Sequence, residues 1–492
     1  MTKLDHLFVI VPGIGGSVLA DESGKKVWKP DVRSVGKAMC RPEDLAMDRP
    51  LVPVGLFTDF HITPFWLVPG YSKITKRLSH VFQEAVATAH PTDHVDPDAS
   101  IVNFPYDFRQ SIWKSAEALG REIAWRLEHR KRRVVIYAHS MGGLVAAWWW
   151  GMLGGHEVTE HIITLGTPFR GATKALDMLI NGVRLGPLPL DAATGVLRGW
   201  DSTYDLVPKY RTIRDADADV YPHDLSLATG DFRHRAKTSY ERFQEMATRI
   251  GELVEDPVLL GAWTHFYGEG HGTLSRAEVV ADRLVCSKET PDWSHLPGWE
   301  PRHWQGGDGT VPKISAFPAW LDADENTGQR PKKDTRRSSA RHGQLVEDGA
   351  AWAQVEDFGL PDLHPPQRGA KGEDKAYVLL DHDDFGLPDL PPPARGAGED
   401  GAYVLLDHDD VVPAGQPTEV GIRLDAPDPG DPELQVTLTG DVVDVSRSGD
   451  GWVAHLPEMK TGMNLLDVTF RKVPDLNEVS IRTKIGAVDV PA

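Results

Sequence analysis

The sequence predicts a parallel α/β sheet interrupted by an inserted cap, followed by a C-terminal all-β sandwich. Three observations carry this. Strand and helix patterns alternate over residues 7–166, which marks a parallel sheet wrapped in helices. Within that stretch the apolar Val134-Val135-Ile136-Tyr137 turns into the helix-compatible Leu144-Val145-Ala146-Ala147-Trp148 through Ala138-His139-Ser140-Met141-Gly142-Gly143. A strand turning sharply into a helix with Ser at the apex is the nucleophile elbow of an α/β-hydrolase fold. Residues 411–492 instead alternate with period two, with turn signals every eight to twelve residues, the spacing of an immunoglobulin-like sandwich.

Taken in order, residues 7–11 read as a buried strand running into the Gly-rich Pro12-Gly13-Ile14-Gly15-Gly16-Ser17. Residues 72–88 have helical spacing, with Ser72 as the N-cap candidate. Ile101–Phe104 reads as a strand, 112–130 as a helix, 134–138 as the strand before the elbow, 142–153 as the helix after it and 161–166 as the next strand. Residues 169–280 break the alternation and are expected to form the cap. Arg283-Leu284-Val285-Cys286 is expected to return the chain to the sheet. A turn at 306–312 and a helix over about 343–355 complete a hydrolase section of residues 1–355. Residues 356–410 hold a tandem duplication. Asp357–Leu363 recurs as Asp384–Leu390, and Tyr377-Val378-Leu379-Leu380-Asp381-His382-Asp383-Asp384 recurs as Tyr403-Val404-Leu405-Leu406-Asp407-His408-Asp409-Asp410. Its Pro-rich parts suggest an extended acidic linker, and its Tyr-Val-Leu-Leu parts can be strands. Asp-His-Asp-Asp matches no calcium-loop spacing, so adjacent acids on a solvated edge are expected there and no metal. The sandwich occupies 411–492; it lacks the Cys–Trp–Cys mark of antibody domains.

Composition narrows the function. The chain has 492 residues, 40% hydrophobic, and a net charge of −19. Residues 351–492 carry −16 of that and the first 350 only −3, which supports a boundary between two sections. So acidic a C-terminal section argues against nucleic acid as a partner. No run approaches the ~20 apolar residues of a membrane span. The first residues lack a secretory pattern, and two cysteines, Cys40 and Cys286, form no disulfide framework. A cytoplasmic location is the expectation.

An activated serine needs a base, an acid to orient that base, and an oxyanion hole. In the fold expected here the chain order is Ser, acid, His. Ser140 is the nucleophile. Ala138 stands where the elbow pattern usually has Gly, a mild change because both are small. Asp308, in Gly307-Asp308-Gly309-Thr310-Val311-Pro312, is the acid, set in a turn that aims one carboxylate. His342, just before the last helix of the section, is the base. His271 and His303 precede Asp308 and break the order. The oxyanion donors are expected to be the N–H groups of Met141, after the nucleophile, and Ile14, after the Pro-Gly corner. No cofactor is called for. The aromatic segment Leu56–Val68 suits core packing, an acyl channel or contact with a lipid surface, and Trp148-Trp149-Trp150 suits packing on the sheet. Arg330–Arg341 holds six basic residues and one acid. It reads as a solvated loop with the capacity to attract anionic headgroups to the catalytic mouth.

Together these motifs resemble the lecithin:cholesterol acyltransferase and lysosomal phospholipase-like family. The resemblance rests on Pro12–Ser17, Tyr106-Asp107-Phe108-Arg109, His139-Ser140-Met141-Gly142-Gly143, Leu165-Gly166-Thr167-Pro168-Phe169-Arg170-Gly171, Gly307–Pro312 and Arg341-His342-Gly343, in that order over residues 7–350. It implies a serine acyl hydrolase or acyltransferase acting on glycerophospholipid esters through Ser140, His342 and Asp308. Tyr106–Arg109 is expected to brace a loop near the site. The resemblance also implies a lipid or ester substrate and transient contact with a membrane surface. Secreted members carry a disulfide after the first strand; here only Cys40 lies there. Two other readings stay open: a carboxylesterase or lipase on neutral or small esters, and an inactive hydrolase fold used as an interaction protein. A protein partner for the C-terminal section fits the latter.

Overall fold

The computed structural model describes residues 4–30, 41–63, 66–68, 70–91, 96–185, 188–289, 305–321, 334–359, 403–407 and most of 411–488. Its centre is a seven-stranded sheet of β1 (His6–Val11), β2 (Val86–Thr88), β3 (Ile101–Asn103), β4 (Arg133–His139), β5 (Thr159–Leu165), β6 (Trp263–Gly268) and β7 (Asp334–Ser338). The order across the sheet is β7-β6-β5-β4-β1-β3-β2, with every pair parallel. A parallel sheet is covered on both faces, and its central strands are apolar throughout rather than alternating. Leu7 to Val11 and Val134 to Ala138 are accordingly buried without a break.

Helices α1 (Ser72–Phe82), α2 (Ile112–His129) and α3 (Met141–Met152) pack on this sheet. All of α3 except its last residue is buried, as a helix apolar on every side must be. The three tryptophans belong to that packing. Trp150 meets Trp263 edge to face at 5.2 Å, and Trp148 lies 6.0 Å from Trp113. Among the described residues, no helix is long and apolar enough to cross a membrane.

Several local expectations are corrected. Helix α1 ends at Phe82, where Gln83 takes a left-handed conformation; the chain then re-enters the sheet as β2. Ser72 is the first helical residue rather than its cap, and its hydroxyl accepts from the Asp59 N–H at 3.2 Å. The span expected as cap, 169–280, contains β6, a strand of the central sheet. Arg283–Ser287 does not return to that sheet. It lies in a separate four-stranded sheet with Ala218–Val220, Ile213–Asp215 and Arg276–Val280. Its outward Arg283 and Val285 suit a sheet covered on one face only.

The C-terminal part is all-β. A four-stranded sheet contains β8 (Tyr403–Asp407), Thr418–Asp425, Gly451–Leu456 and Asp444–Ser448. A five-stranded sheet contains Val411–Pro413, Asn477–Val488, Gly462–Val473, Glu433–Leu438 and Asp441–Val442. Val420, Ile422, Val436, Val468 and Phe470, drawn from both sheets, share one core. Strand β8 is the second copy of the duplicated Tyr-Val-Leu-Leu; the first copy lies outside the described residues, as do Cys40 and His303. The buried Leu406 of β8 also reaches the α/β part. Its N–H donates to the Gly270 carbonyl at 2.9 Å, and its carbonyl accepts from the Gly272 N–H.

Candidate active site

Parallel strands place the site at the C-terminal ends of β1, β4 and β5. Val11 is in register with Ala138, and His139 with Leu165, so the turns leaving these strands meet at one edge. Ser140 occupies the turn from β4 into α3 with φ 52° and ψ −127°. A non-glycine residue held there costs on the order of 1–3 kcal/mol, sustained by the surrounding structure. The support is visible. The Ser140 N–H donates to the Leu165 carbonyl at 2.8 Å, and α3 is locked in the core. Gly142 is required, because a Cβ there would lie 2.4 Å from the Pro12 carbonyl oxygen.

The three residues expected as a triad lie together. His342 Nε2 is 2.8 Å from Ser140 Oγ, and His342 Nδ1 is 2.7 Å from Asp308 Oδ2. Asp308 Oδ1 accepts from the N–H groups of Thr310 at 2.9 Å and Val311 at 2.7 Å. Burial works to raise the Asp308 pKa, but His342 and the two backbone donors outweigh it and hold the carboxyl below its usual range. The His342 N–H donates to the Asp308 carbonyl at 3.0 Å, so acid and base are tied by main chain as well. Of the rejected bases, His271 is buried with its Nε2 2.9 Å from the Ser339 carbonyl.

Of the expected oxyanion donors, Met141 follows the serine directly and Ile14 lies in the turn after β1. Met141 opens α3, where the first N–H groups of a helix have no intrahelical acceptor. Ile14 lines the same cavity as Ser140. Of its neighbours in the turn, the Gly13 N–H is taken by Tyr71 Oη and the Gly16 N–H by the Gly13 carbonyl. The cavity, about 410 Å³, is walled largely by apolar side chains, among them Trp28, Phe57, Met178, Leu197, Leu206 and Val311. Phe57, from the aromatic segment, is thus a wall residue. The tryptophans of α3 do not line this cavity.

Tyr106–Arg109 braces the surroundings. Tyr106 Oη donates to the Pro12 carbonyl at 2.7 Å. The buried Arg109 grips both oxygens of Asp107 and donates to the carbonyls of Ala46 and Arg49. Of the basic stretch, Arg336 and Arg337 lie on the edge strand β7, and Arg337 is 3.4 Å from Glu269. Charged side chains on an edge strand also keep it from pairing with other chains.

Two residues of the site were not singled out for roles by sequence reasoning, His139 and Tyr71. His139 stood in the elbow motif without an assignment; Tyr71 had no local signal. Tyr71 Oη lies 2.9 Å from His139 Nδ1, and His139 Nε2 lies 2.9 Å from the His342 carbonyl oxygen. Burial, then the nearby His342, pull the His139 pKa down to about 3. Among the described residues, no group of three or more His, Cys, Asp or Glu side chains is placed to hold a metal ion.

Comparison with known proteins agrees with the expected resemblance. The model of the lecithin:cholesterol acyltransferase family matches residues 66–258. That segment contains the elbow, Tyr106–Arg109 and Leu165–Gly171, but neither Asp308 nor His342. A curated relative, the uncharacterized protein YJR098C of Saccharomyces cerevisiae, is 30% identical over 197 residues, covering 37% of this chain. The matched part spans only 26% of that relative's length. Among solved structures, the Bacillus licheniformis lipase BlEst2 in mature form overlaps 72% of this chain and 91% of its own, at 11% identity and a TM-score of 0.33. Its propeptide form overlaps 97% and 92%, at 10% identity and a TM-score of 0.32.

Proposed function

We propose that this chain is a serine acyl hydrolase or acyltransferase of the α/β-hydrolase kind, acting on lipid esters and in particular on glycerophospholipids. The observation that carries the reading is the unbroken line Asp308–His342–Ser140, with contacts of 2.7 and 2.8 Å, opening into an apolar cavity. Ser140 Oγ attacks the ester carbonyl while His342 Nε2 takes its proton. Asp308 stabilises the imidazolium and fixes its orientation. The N–H groups of Met141 and Ile14 receive the oxyanion. Collapse of the tetrahedral species breaks the ester C–O bond, and His342 returns the proton to the leaving alcohol. Water or a second alcohol, deprotonated by His342, then attacks the acyl-enzyme and frees Ser140.

The cavity supports a lipid substrate because its walls suit an acyl chain, which gains roughly 0.8 kcal/mol per buried CH₂. We place the activity in the cytoplasm with transient contact at a membrane surface. We read the C-terminal sheets as an immunoglobulin-like sandwich. The test has two parts: labelling with a fluorophosphonate probe, then incubation with mixed phospholipids and neutral esters and identification of the acids released. A Ser140-dependent adduct and fatty acids from phospholipid are expected, both lost in Ser140→Ala. Release from neutral esters alone would make the protein a lipase or carboxylesterase. No adduct would leave the inactive interaction fold.

A further inference from the structure

Three hydrogen bonds outside the Asp308–His342–Ser140 line join the turn after β1 to the backbone of the base. The Gly13 N–H donates to Tyr71 Oη at 2.8 Å. Tyr71 Oη is 2.9 Å from His139 Nδ1, and His139 Nε2 is 2.9 Å from the carbonyl oxygen of His342. The chemistry of each atom fixes the direction of the chain. A carbonyl oxygen only accepts, so His139 Nε2 carries the hydrogen. In the neutral imidazole Nδ1 then holds a lone pair, and the Tyr71 hydroxyl has one hydrogen to give it. The phenol oxygen keeps its lone pairs for the Gly13 amide. Every donor is used once, and the chain runs one way from Gly13 to His342.

The setting keeps that arrangement. Both side chains are buried, and a protonated His139 would leave the Tyr71 hydroxyl hydrogen without its acceptor. The rings of His139 and His342 are 5.0 Å apart, so a charge on His139 would oppose the charge that the proposed mechanism places on His342. The turn is shaped to admit the chain. A Cβ on Gly13 would sit 2.8 Å from Ser140 Cβ and 3.2 Å from His139 Nδ1. Because Tyr71 takes the Gly13 N–H, the amides of Ile14 and Gly15 are the ones left in the part of the turn that lines the cavity.

We propose that Tyr71 and His139 are positioning residues for acyl transfer, holding the oxyanion turn and the backbone of His342 in one fixed relation to Ser140. This rests on the reading of Ser140 as a nucleophile. Both border the cavity, but their polar atoms are engaged with the Gly13 amide, each other and the His342 carbonyl, and neither carries the reacting proton. Their effect is on where the Ile14 amide and the His342 ring sit when the tetrahedral species forms, so their loss costs turnover rather than binding.

The test uses the full chain with Tyr71→Phe, His139→Leu, His139→Gln and the double variant Tyr71→Phe/His139→Leu. The readouts are kcat and KM on a soluble p-nitrophenyl ester, with Ser140→Ala as background, and the melting temperature of each variant. Tyr71→Phe and His139→Leu should each lower kcat about 10- to 100-fold, the scale of a small misplacement of reacting groups, with KM nearly unchanged. The double variant should lose no more than the worse single one, because both act through one chain. Gln keeps an N–H donor for the His342 carbonyl, so His139→Gln should recover most of the loss. A merely structural role predicts falling melting temperatures, losses that multiply in the double variant, and no advantage of Gln over Leu; that pattern, or wild-type kcat in Tyr71→Phe, overturns the inference. An unreactive Ser140 in the unmodified chain overturns the functional reading itself, and this inference with it.

Discussion

The two halves of the site are built in different ways. The nucleophile half sits where adjacent strands end: Ser140 after β4, the Pro12–Ser17 turn after β1, Leu165 closing β5, with α3 buried behind them. Neighbouring strands set its geometry. The acid–base half is assembled from four segments far apart in sequence. The Glu269 N–H donates to the Ser338 carbonyl, His271 and Gly307 exchange two backbone hydrogen bonds, and the Gly309 N–H donates to Thr273 Oγ1. Leu406 of β8 then pairs with Gly270 and Gly272 on the outer side. One half stores backbone strain in a rigid frame; the other depends on loops that support one another. Damage should therefore be abrupt in the first and graded in the second.

The largest effect is expected at Gly142. A Cβ there meets the Pro12 and Val11 carbonyl oxygens at 2.4 and 2.6 Å, and backbone cannot move aside. Gly142→Ala should cost about 3 kcal/mol of stability, the upper end for overpacking, and abolish fluorophosphonate labelling of Ser140. Gly343, beside His342 in the other half, is the contrast, since a Cβ there meets nothing within 4 Å. Gly343→Ala should label at nearly the unmodified rate. Equal losses at the two glycines would erase the distinction between rigid and adaptable halves.

A smaller effect is expected at Leu406. Proline there removes the N–H that donates to Gly270. If that strand supports the acid loop, Leu406→Pro should lower kcat about tenfold, within the range for a displaced catalytic group, while KM stays the same. Unchanged kcat in a variant with a melted C-terminal part would cut the tie between the two regions.

What was legible in the sequence follows the same division. The elbow, the turn after β1 and the strands around them are local patterns, and the residues quoted from them lie where the fold needs them. Asp308 and His342 were reachable through chain order and the Gly-Asp-Gly turn, although their meeting is not local. Strand β6 was hidden because its burial is not purely apolar. Thr264 Oγ1 accepts from Gln354 Nε2 and lies 2.8 Å from His161 Nε2, and His265 Nδ1 lies 2.8 Å from Thr164 Oγ1. Polar side chains that satisfy one another across strands can be buried, but each alone reads as solvent-facing. Arg283–Ser287 misled in the opposite sense, its apolar Leu-Val-Cys reading as a strand of the central sheet. The Tyr71–His139 chain was out of reach because it is a property of three segments at once.

The smallest effect separates the two buried histidines. In the nucleophile half His139 is pulled down to about 3, and in the acid–base half His271 to about 4, burial being the main cause in each. His342 adds to it for His139 and Arg341 for His271. An unfolded histidine titrates near 6.5, so between that pH and these lower values the unfolded chain binds more protons than the native one. Stability therefore rises with pH through this window; it is complete above about 6.5 and is lost as the pH falls. Each histidine contributes a slope of up to about 1.4 kcal/mol per pH unit. Urea unfolding of His271→Gln at several pH values should show a flatter acid slope than the unmodified chain, and His139→Gln the same. Activity should tell them apart. His139→Leu should lose turnover because its hydrogen bonds reach the turn after β1 through Tyr71, whereas among the described residues the His271 ring bonds the Ser339 carbonyl, so His271→Gln should change kcat at neutral pH by less than about threefold. A His271→Gln variant that lost as much turnover as His139→Leu would show that the loops of the acid–base half are as finely tuned as the elbow.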